Sequence, residues 1–286
     1  MTTPRVWLIT GCSSGFGREL VQAALNHGDK VIATARNPAK IEDLVQLGAH
    51  TLELDVTSSP SELRQRIEEA IKVYGKIDVL VNNAAYVLQG GIEEASSEET
   101  FDQFNTNVFG LLNVTRAVLP EMRSRKSGTI VNIGSIGGWR GTPGVGLYCA
   151  TKFALAGISE ALQAETKHLG IDVMLVEPGY FRTSLLRGGN STSASAHITD
   201  YDESIGPIRK ALSDINNKQP GDPKKGAQVI IDVVTQSGAA KGRGIPVRLA
   251  LGSDAPVEIE NKCNSTLEQL ELWREISSST DHDDVA

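Results

Sequence analysis

The sequence predicts an α/β fold built on a doubly wound parallel sheet, and three observations carry that expectation. Short β-branched runs alternate with helix-period runs six times before about residue 180, the pattern of strands joined by crossover helices. The first run closes on a glycine-rich turn, Thr10-Gly11-Cys12-Ser13-Ser14-Gly15-Phe16-Gly17, which opens a helix. Gly11, Arg36, Asp55, Asn82, Ser135 and Pro178 all fall at the carboxyl ends of predicted strands, where open parallel sheets bind ligands.

The elements follow in order. Arg5 to Thr10 is the first strand, and the turn after it aims backbone N–H groups and a helix N-terminus at an anion. Glycine there permits positive φ and close ligand approach. The spacing is G-x-x-x-G-x-G rather than G-x-G-x-x-G. Lys30 to Ala35, the second strand, ends at Arg36. A carboxylate about 20 residues past the glycines would bond the ribose 2′-hydroxyl of NAD. This chain instead has Arg36, with Arg18 just behind the glycines, and a cation there suits the 2′-phosphate of NADP. Asn37-Pro38 opens a helix, and His50 to Leu54 is a third strand closing on Asp55.

Ser59-Pro60-Ser61-Glu62 combines an N-cap, a Pro at the first helical position and a Glu at the third, a strong helix start. Asp78 to Val81 is a fourth strand ending in Asn82-Asn83-Ala84-Ala85, and Phe101 to Met122 a long helix carrying Asn107. Gly128 to Ile133 is a fifth strand with Ser135 just past its end. A glycine-rich loop then leads to a helix from Leu147 to Leu169 and a sixth strand, Ile171 to Val176, ending at Glu177-Pro178-Gly179. Residues 184–220 are small and polar around Gly188 and Gly189 and are expected to form a flexible lid, with a disordered insertion as the alternative. Asp222-Pro223 starts a helix to about Gln236 with Gly238 as its C-cap, and Ile245 to Leu251 is an edge strand. Val257 to Ile276 is amphipathic, and residues 277–286 form a frayed acidic tail. With no repeat and no boundary, residues 1–286 are expected to form one domain.

Composition narrows the function. A hydrophobic fraction of 40% in 286 residues supports a large core, and a net charge of -7 argues against nonspecific binding to nucleic acid or anionic membranes. No apolar run is long enough to span a membrane and no signal peptide is visible. The three cysteines lack paired spacing, which fits a reducing, cytoplasmic setting, and the five histidines are scattered without ligand spacing, so no metal is expected.

The chemistry is expected at Tyr148 and Lys152. Four residues apart on a helix, they leave one face as neighbours. An ammonium beside a phenol favours phenolate, so Lys152 is expected to lower the Tyr148 pKa and ready it for proton exchange.

With these pieces assembled, the sequence resembles the short-chain dehydrogenase/reductase family in its compact soluble subgroup. The resemblance rests on Thr10 to Gly17, Asp55-Val56, the Asn-Asn-Ala turn at Asn82, Asn107-Val108-x-Gly110, Ser135, Tyr148-x-x-x-Lys152, and Pro178-Gly179 followed by Thr183. It implies a single Rossmann-fold domain and a tetrad of Asn107, Ser135, Tyr148 and Lys152. In that tetrad Tyr148 is general acid or base, and Ser135 bonds the substrate oxygen. Lys152 tunes Tyr148 and bonds the nicotinamide ribose, and Asn107 holds a water of a proton relay. The resemblance further places Gly11, Ser13, Ser14, Gly15, Phe16 and Gly17 around the pyrophosphate, and Arg36 on the 2′-phosphate. Asp55, Val56 and Asn82 would sit by the adenosine, and Pro178, Gly179 and Thr183 by the nicotinamide. NADP(H) is favoured, with NAD(H) the alternative.

The implied reaction interconverts a ketone and a secondary alcohol, or an aldehyde and a primary alcohol. The substrate would be small to medium and fairly apolar, of the steroid, retinoid, polyketide or terpenoid kind, with Trp139, Tyr180 and Phe181 near its pocket. A place in secondary metabolism and assembly as a homodimer or homotetramer are also implied. The competing reading is a dinucleotide-sensing regulator of the same fold without catalysis. Two departures from the family pattern stand out: Ala85 where the turn usually ends in Gly, and Gly134 where a Ser is frequent.

Overall fold

The computed structural model describes residues 3–186 and 190–282. Its first half runs β1 (Val6–Ile9), α1 (Gly15–His27), β2 (Lys30–Ala35), α2 (Asp43–Gln46), β3 (His50–Glu53), α3 (Pro60–Tyr74), β4 (Val79–Asn82) and β5 (Val87–Gln89). There follow α4 (Ser97–Phe104), a π-helical turn (Asn105–Gly110), α5 (Leu111–Arg125), β6 (Gly128–Ile133), α6 (Gly146–Thr166) and β7 (Ile171–Pro178). The chain then forms β8 (Ser191–Ser193), α7 (Asp202–Ile215), α8 (Pro223–Thr235), β9 (Arg248–Leu251) and α9 (Asp254–Ser278).

Seven strands make one parallel sheet in the order β3-β2-β1-β4-β6-β7-β9. The chain winds outward from β1 in one direction and then, from β4, in the other, so a crevice opens at the carboxyl ends of β1 and β4. Side chains of a strand alternate between faces, and the core divides accordingly. Trp7 and Ile9 pack with Leu20 of α1 and Ile230 of α8, whereas Val6 and Leu8 pack with Ile67 of α3 and Val114 of α5. Both faces are covered, as a parallel sheet requires.

Local signals explain the boundaries. Ser59 and Glu62 form the expected capping box of α3. A second capping box, Ser96 with Glu99, starts α4 ahead of the Phe101 expected to begin that helix. The predicted Phe101–Met122 helix is broken where it carries Asn107, because the chain widens there into the π turn. Gly110 closes that turn against Val56, whose carbonyl oxygen would lie 2.8 Å from an added Cβ.

The C-terminal third departs most from expectation. The 184–220 segment is not simply irregular: β8 pairs in parallel with β5, and α7 follows it. Gly188 and Gly189 lie outside the described residues. α8 ends at Thr235, as expected to within a residue, but its C-cap is Gln236 rather than Gly238; Gln236 takes the left-handed conformation at φ 54, and its side-chain Nε2 donates to the Val233 carbonyl at 2.7 Å. The edge strand β9 is narrower than predicted and is tied down by Arg248, which pairs with the buried Glu177. α9 was expected to bury one face, yet only Ala255 is buried, and Leu267, Leu270, Trp273 and Ile276 face outward. Helix continues to Ser278, into the tail expected to fray, whose residues 283–286 lie outside the described ones.

Candidate active site

The carboxyl ends of the strands open into one cavity of about 970 Å³. The turn after β1 contributes Gly11, Ser13, Ser14, Gly15 and Phe16 to its wall. Gly11 has φ +69, and a Cβ on it would meet the Ala84 backbone at 2.9 Å. Gly15 has φ +57, also a conformation that favours glycine. Gly17 serves the turn's packing and is not on the wall: a Cβ there would lie 2.5 Å from the Gly11 carbonyl oxygen. Ser14 is the N-cap of α1, but its side chain makes no capping bond; its Oγ instead accepts a hydrogen bond from Asn190 Nδ2 at 3.2 Å. The first turn of α1 thus carries neither a side-chain cap nor an acidic residue, and it faces the cavity with the positive end of the helix dipole.

The residues beyond β2 and β3 complete this region. Arg36 lines the cavity and makes no hydrogen bond or ion pair among the described residues, whereas Arg18 is paired with Asp43 and stands off the wall. Only the first of the two predicted cations is thus free to meet a phosphate. Asp55 and Val56 line the cavity, with Asp55 also holding its own turn through Thr57 N at 2.9 Å and Thr57 Oγ1 at 2.7 Å.

Asn82 is a correction. Its amide points away from the cavity and donates to Thr115 Oγ1 and Asn132 Oδ1, both at 2.9 Å, because as the last residue of β4 it projects into the sheet's interior. Its neighbour Asn83 lines the wall and pins the glycine turn, with Nδ2 donating to the carbonyls of Thr10 at 2.9 Å and Gly11 at 3.1 Å. Of the Asn-Asn-Ala motif, Asn83 rather than Asn82 reaches the cavity.

Ser135, Tyr148 and Lys152 meet on the same cavity. Ser135 sits where β6 ends and accepts from Gly137 N at 3.0 Å, and its Oγ and the Tyr148 ring both flank Gly137, lying 3.4 and 3.6 Å from where a Cβ on it would stand. Lys152 is buried, donates from Nζ to the Ile133 carbonyl at 2.7 Å, and stands 5.5 Å from the centroid of the Tyr148 ring. Burial pushes the Lys152 pKa down to about 8. The same desolvation pushes Tyr148 up to about 12, against the lowering influence of the nearby Ser135 hydroxyl. The expected lowering of Tyr148 by Lys152 is therefore reversed in the protein by itself, since burial disfavours both charged forms.

Asn107 lies on the π turn, buried and off the cavity wall. Its Oδ1 accepts from Tyr86 N at 3.1 Å, and its Nδ2 donates to Tyr86 O at 3.0 Å and Thr151 Oγ1 at 3.2 Å. The side chain expected to hold a relay water is thus engaged in joining the strand after Tyr86 to the Tyr148 helix. π turns recur at functional positions, and this one aims that amide.

Pro178, Gly179 and Thr183 also line the cavity, with Tyr180 and Phe181. Phe181 packs on Phe16 with ring centroids 4.9 Å apart, joining the segment after β7 to the glycine turn. Trp139 does not line the cavity; the Arg248 guanidinium lies over its ring at 3.9 Å. Leu185, Leu186, Ile208, Leu212 and Ile215, with Val87 and Val145, give part of the wall an apolar surface. The two departures noted above are harmless or required. Ala85 does not adopt positive φ, and a Cβ on Gly134 would meet the Val176 carbonyl oxygen at 2.9 Å, so a Ser there would clash.

A family model for the short chain dehydrogenases matches residues 5–194. The chain belongs to the short-chain dehydrogenase/reductase family. Among curated relatives, this short-chain dehydrogenase/reductase is 34% identical over 278 residues to oxidoreductase BOA17 of Botryotinia fuckeliana, covering 96% of this chain and 98% of that protein. It is 43% identical over 202 residues to 3-ketodihydrosphingosine reductase of Bacteroides thetaiotaomicron, covering 71% and 73%. A short-chain dehydrogenase from Streptomyces avermitilis superposes with a TM-score of 0.88 at 40% identity, over 98% of this chain and 100% of that one.

Two more distant structures hold the cofactor: 3-ketoacyl-(acyl-carrier-protein) reductase of Brucella melitensis with NADH (25% identity, TM-score 0.70, 86% and 95% coverage) and ElxO with NADP (25%, 0.72, 89% and 100%). This member is therefore an oxidoreductase acting on CH–OH groups with a nicotinamide dinucleotide. The residues fit that group, since the glycine turn, the uncapped start of α1 and the unpaired Arg36 share one cavity with Tyr148. Among the described residues, no helix is long and apolar enough to cross a membrane.

Proposed function

We propose that this chain is an NADP(H)-dependent reductase or dehydrogenase that interconverts a ketone and a secondary alcohol on a small to medium, apolar substrate. The observation that carries the reading is that Ser135 and Tyr148, with Lys152 one helical turn on, line the same cavity as the glycine turn and Arg36. The nicotinamide, when bound, donates or accepts the hydride.

The protein's own residues do the rest. Ser135 donates to the carbonyl oxygen and steadies the charge that develops on it. Tyr148 gives that oxygen a proton in reduction and takes it back in oxidation. A Tyr148 pKa of about 12 suits the donor role, and a cationic neighbour lowers it toward working pH for the reverse. Lys152 holds the ribose hydroxyls, and Asn107 acts by positioning Tyr86 and the Tyr148 helix. Gly11, Ser13, Ser14, Gly15 and Phe16 cradle the pyrophosphate, Arg36 takes the 2′-phosphate, Asp55 and Val56 the adenine side, and Pro178, Gly179 and Thr183 the nicotinamide.

The apolar wall from Leu185 to Ile215 supports a hydrophobic substrate, and residues 184–220 then serve as its lid. A relative named for reducing a 3-keto group supports a ketone as the reacting function. Exposed Phe101, Phe109 and Phe153 on the Asn107 and Tyr148 helices fit assembly as a homodimer or homotetramer, and three cysteines without paired spacing fit a cytoplasmic setting. A purely sensory, non-catalytic role is weaker, because Ser135, Tyr148 and Lys152 are all retained.

Titration with NADPH and NADH tests the cofactor assignment. Arg36→Ala is expected to weaken NADPH about 10- to 100-fold, as for a charge-assisted bond, and to leave NADH within about twofold. Equal affinities of the wild type for both cofactors would refute it. Tyr148→Phe is expected to lose at least about 100-fold in turnover with NADPH still bound. Unchanged turnover would sink the mechanism.

A further inference from the structure

Gln219 lies between α7 and α8 and lines the cavity alongside Ile208, Leu212 and Ile215. It is 2% exposed. Its main-chain oxygen accepts from Arg182 Nε at 3.2 Å and Nη2 at 3.0 Å, which fixes this turn against the segment carrying Thr183. The side chain is treated differently: Oε1 is buried and has no hydrogen-bond partner among the described residues. Folded proteins leave few buried acceptors unpaired, because each forfeits its hydration without replacement. Met or Leu would fill this position among apolar neighbours at no such cost. Gln219 instead places a polar side chain at a cavity whose contents can satisfy it.

We propose that Gln219 is a specificity-determining residue: its Oε1 accepts a hydrogen bond from a hydroxyl or amino group carried by the substrate, apart from the carbonyl under reduction. The inference rests on the reading of the cavity as a carbonyl-reducing site and narrows its substrate class to hydroxy- or amino-ketones on an apolar frame. The selection follows from the burial. A substrate that brings the donor pairs Oε1, and one that lacks it closes the pocket over an unpaired acceptor, so the site discriminates against the plain ketone.

The test uses the full-length enzyme and Gln219→Met, a substitution of similar length without the acceptor. The probes are decan-3-one and hydroxydecan-3-ones with the hydroxyl at successive carbons, each followed by NADPH oxidation. Wild type is expected to favour at least one hydroxy-ketone over decan-3-one about 10-fold or more in kcat/KM, mostly through KM. In Gln219→Met that ratio is expected to collapse to within about twofold, with NADPH affinity moving less than about threefold and the melting temperature of the free protein equal or higher.

Three results would overturn the proposal. One is a wild type indifferent to the hydroxyl, or a ratio that survives the substitution. Another is a tenfold loss of NADPH affinity, which would give Oε1 to the cofactor. The third is a melting temperature several degrees lower, which would mean a partner within the protein. Reduction of decan-3-one without discrimination sinks Gln219 alone, whereas no reduction of any probe with NADPH or NADH sinks the carbonyl-reducing reading and this inference with it.

Discussion

Replacing Lys152 by Met should stabilise the free protein while abolishing its activity. Lys152 is 3% exposed, and burial takes its pKa from the ordinary 10.5 to about 8. At about 1.4 kcal/mol per tenfold, holding the ammonium in the fold costs about 3 kcal/mol at pH 7, below both values. The bond to the Ile133 carbonyl returns part of this, so the net gain for Lys152→Met is about 1–2 kcal/mol. Its pH dependence is the sharper test. Between about 8 and 10.5 the unfolded chain holds a proton on Lys152 that the folded chain has shed, so wild-type stability rises with pH in that window. The variant lacks the group, so its advantage should shrink by up to about 1.4 kcal/mol per pH unit from pH 8, vanish near about pH 9 and turn into a deficit by about pH 10.5. Urea unfolding of both proteins at pH 7, 8.5 and 10 measures the difference, in which other titrating groups cancel. A gap that stays constant across those three values would refute the argument that burial, rather than a specific partner, sets the Lys152 pKa.

Two further outcomes follow from the packing. Gly134→Ala places a Cβ 2.9 Å from both the Val176 carbonyl oxygen and Leu175 Cδ1, and it should cost about 1–3 kcal/mol in urea unfolding while displacing Ser135 enough to lower kcat. Glu94 joins the α7 segment to the body, accepting from Gly91 N at 2.6 Å, Ile198 N at 3.0 Å and Arg209 Nη2 at 2.6 Å. Glu94→Ala should open residues 195–218 to limited proteolysis several-fold faster and raise KM; unchanged cleavage would show that this buried carboxylate is not the fastening. The N–H groups of Gly91 and Ile198 hold the Glu94 carboxyl below its ordinary 4.5, so its contribution is present above that pH. It is lost as pH falls further, through the depressed value, and acid should loosen the same segment in wild type.

The sequence determined the parts of this protein that are local. Strand runs, helix starts such as Ser59-Pro60-Ser61-Glu62, and the turn from Gly11 to Gly17 each follow from the conformational preferences of a few adjacent residues. Their alternation then dictated the parallel sheet, because only crossover helices can join parallel neighbours and cover both faces. Ser135, Tyr148 and Lys152 were legible for the same reason: a strand end and one helical turn bring them together whatever the rest of the chain does.

Tertiary structure decided what depends on distant elements. It turned Asn82 inward and put Asn83 on the wall, since alternation along β4 is anchored by packing against Thr115 and Asn132. It withdrew Arg18 into a pair with Asp43, leaving Arg36 unpaired, and it covered Trp139 with Arg248. It reversed the expected Tyr148 pKa, because desolvation is the sum of every element that closes over a side chain, and no stretch of sequence carries that sum. It also left Gln219 buried with an open acceptor, on a turn that reads as polar surface in one dimension. Spacing along a chain specifies which neighbours a residue has within a helix or strand; which atoms are cut off from water is settled only when those elements pack.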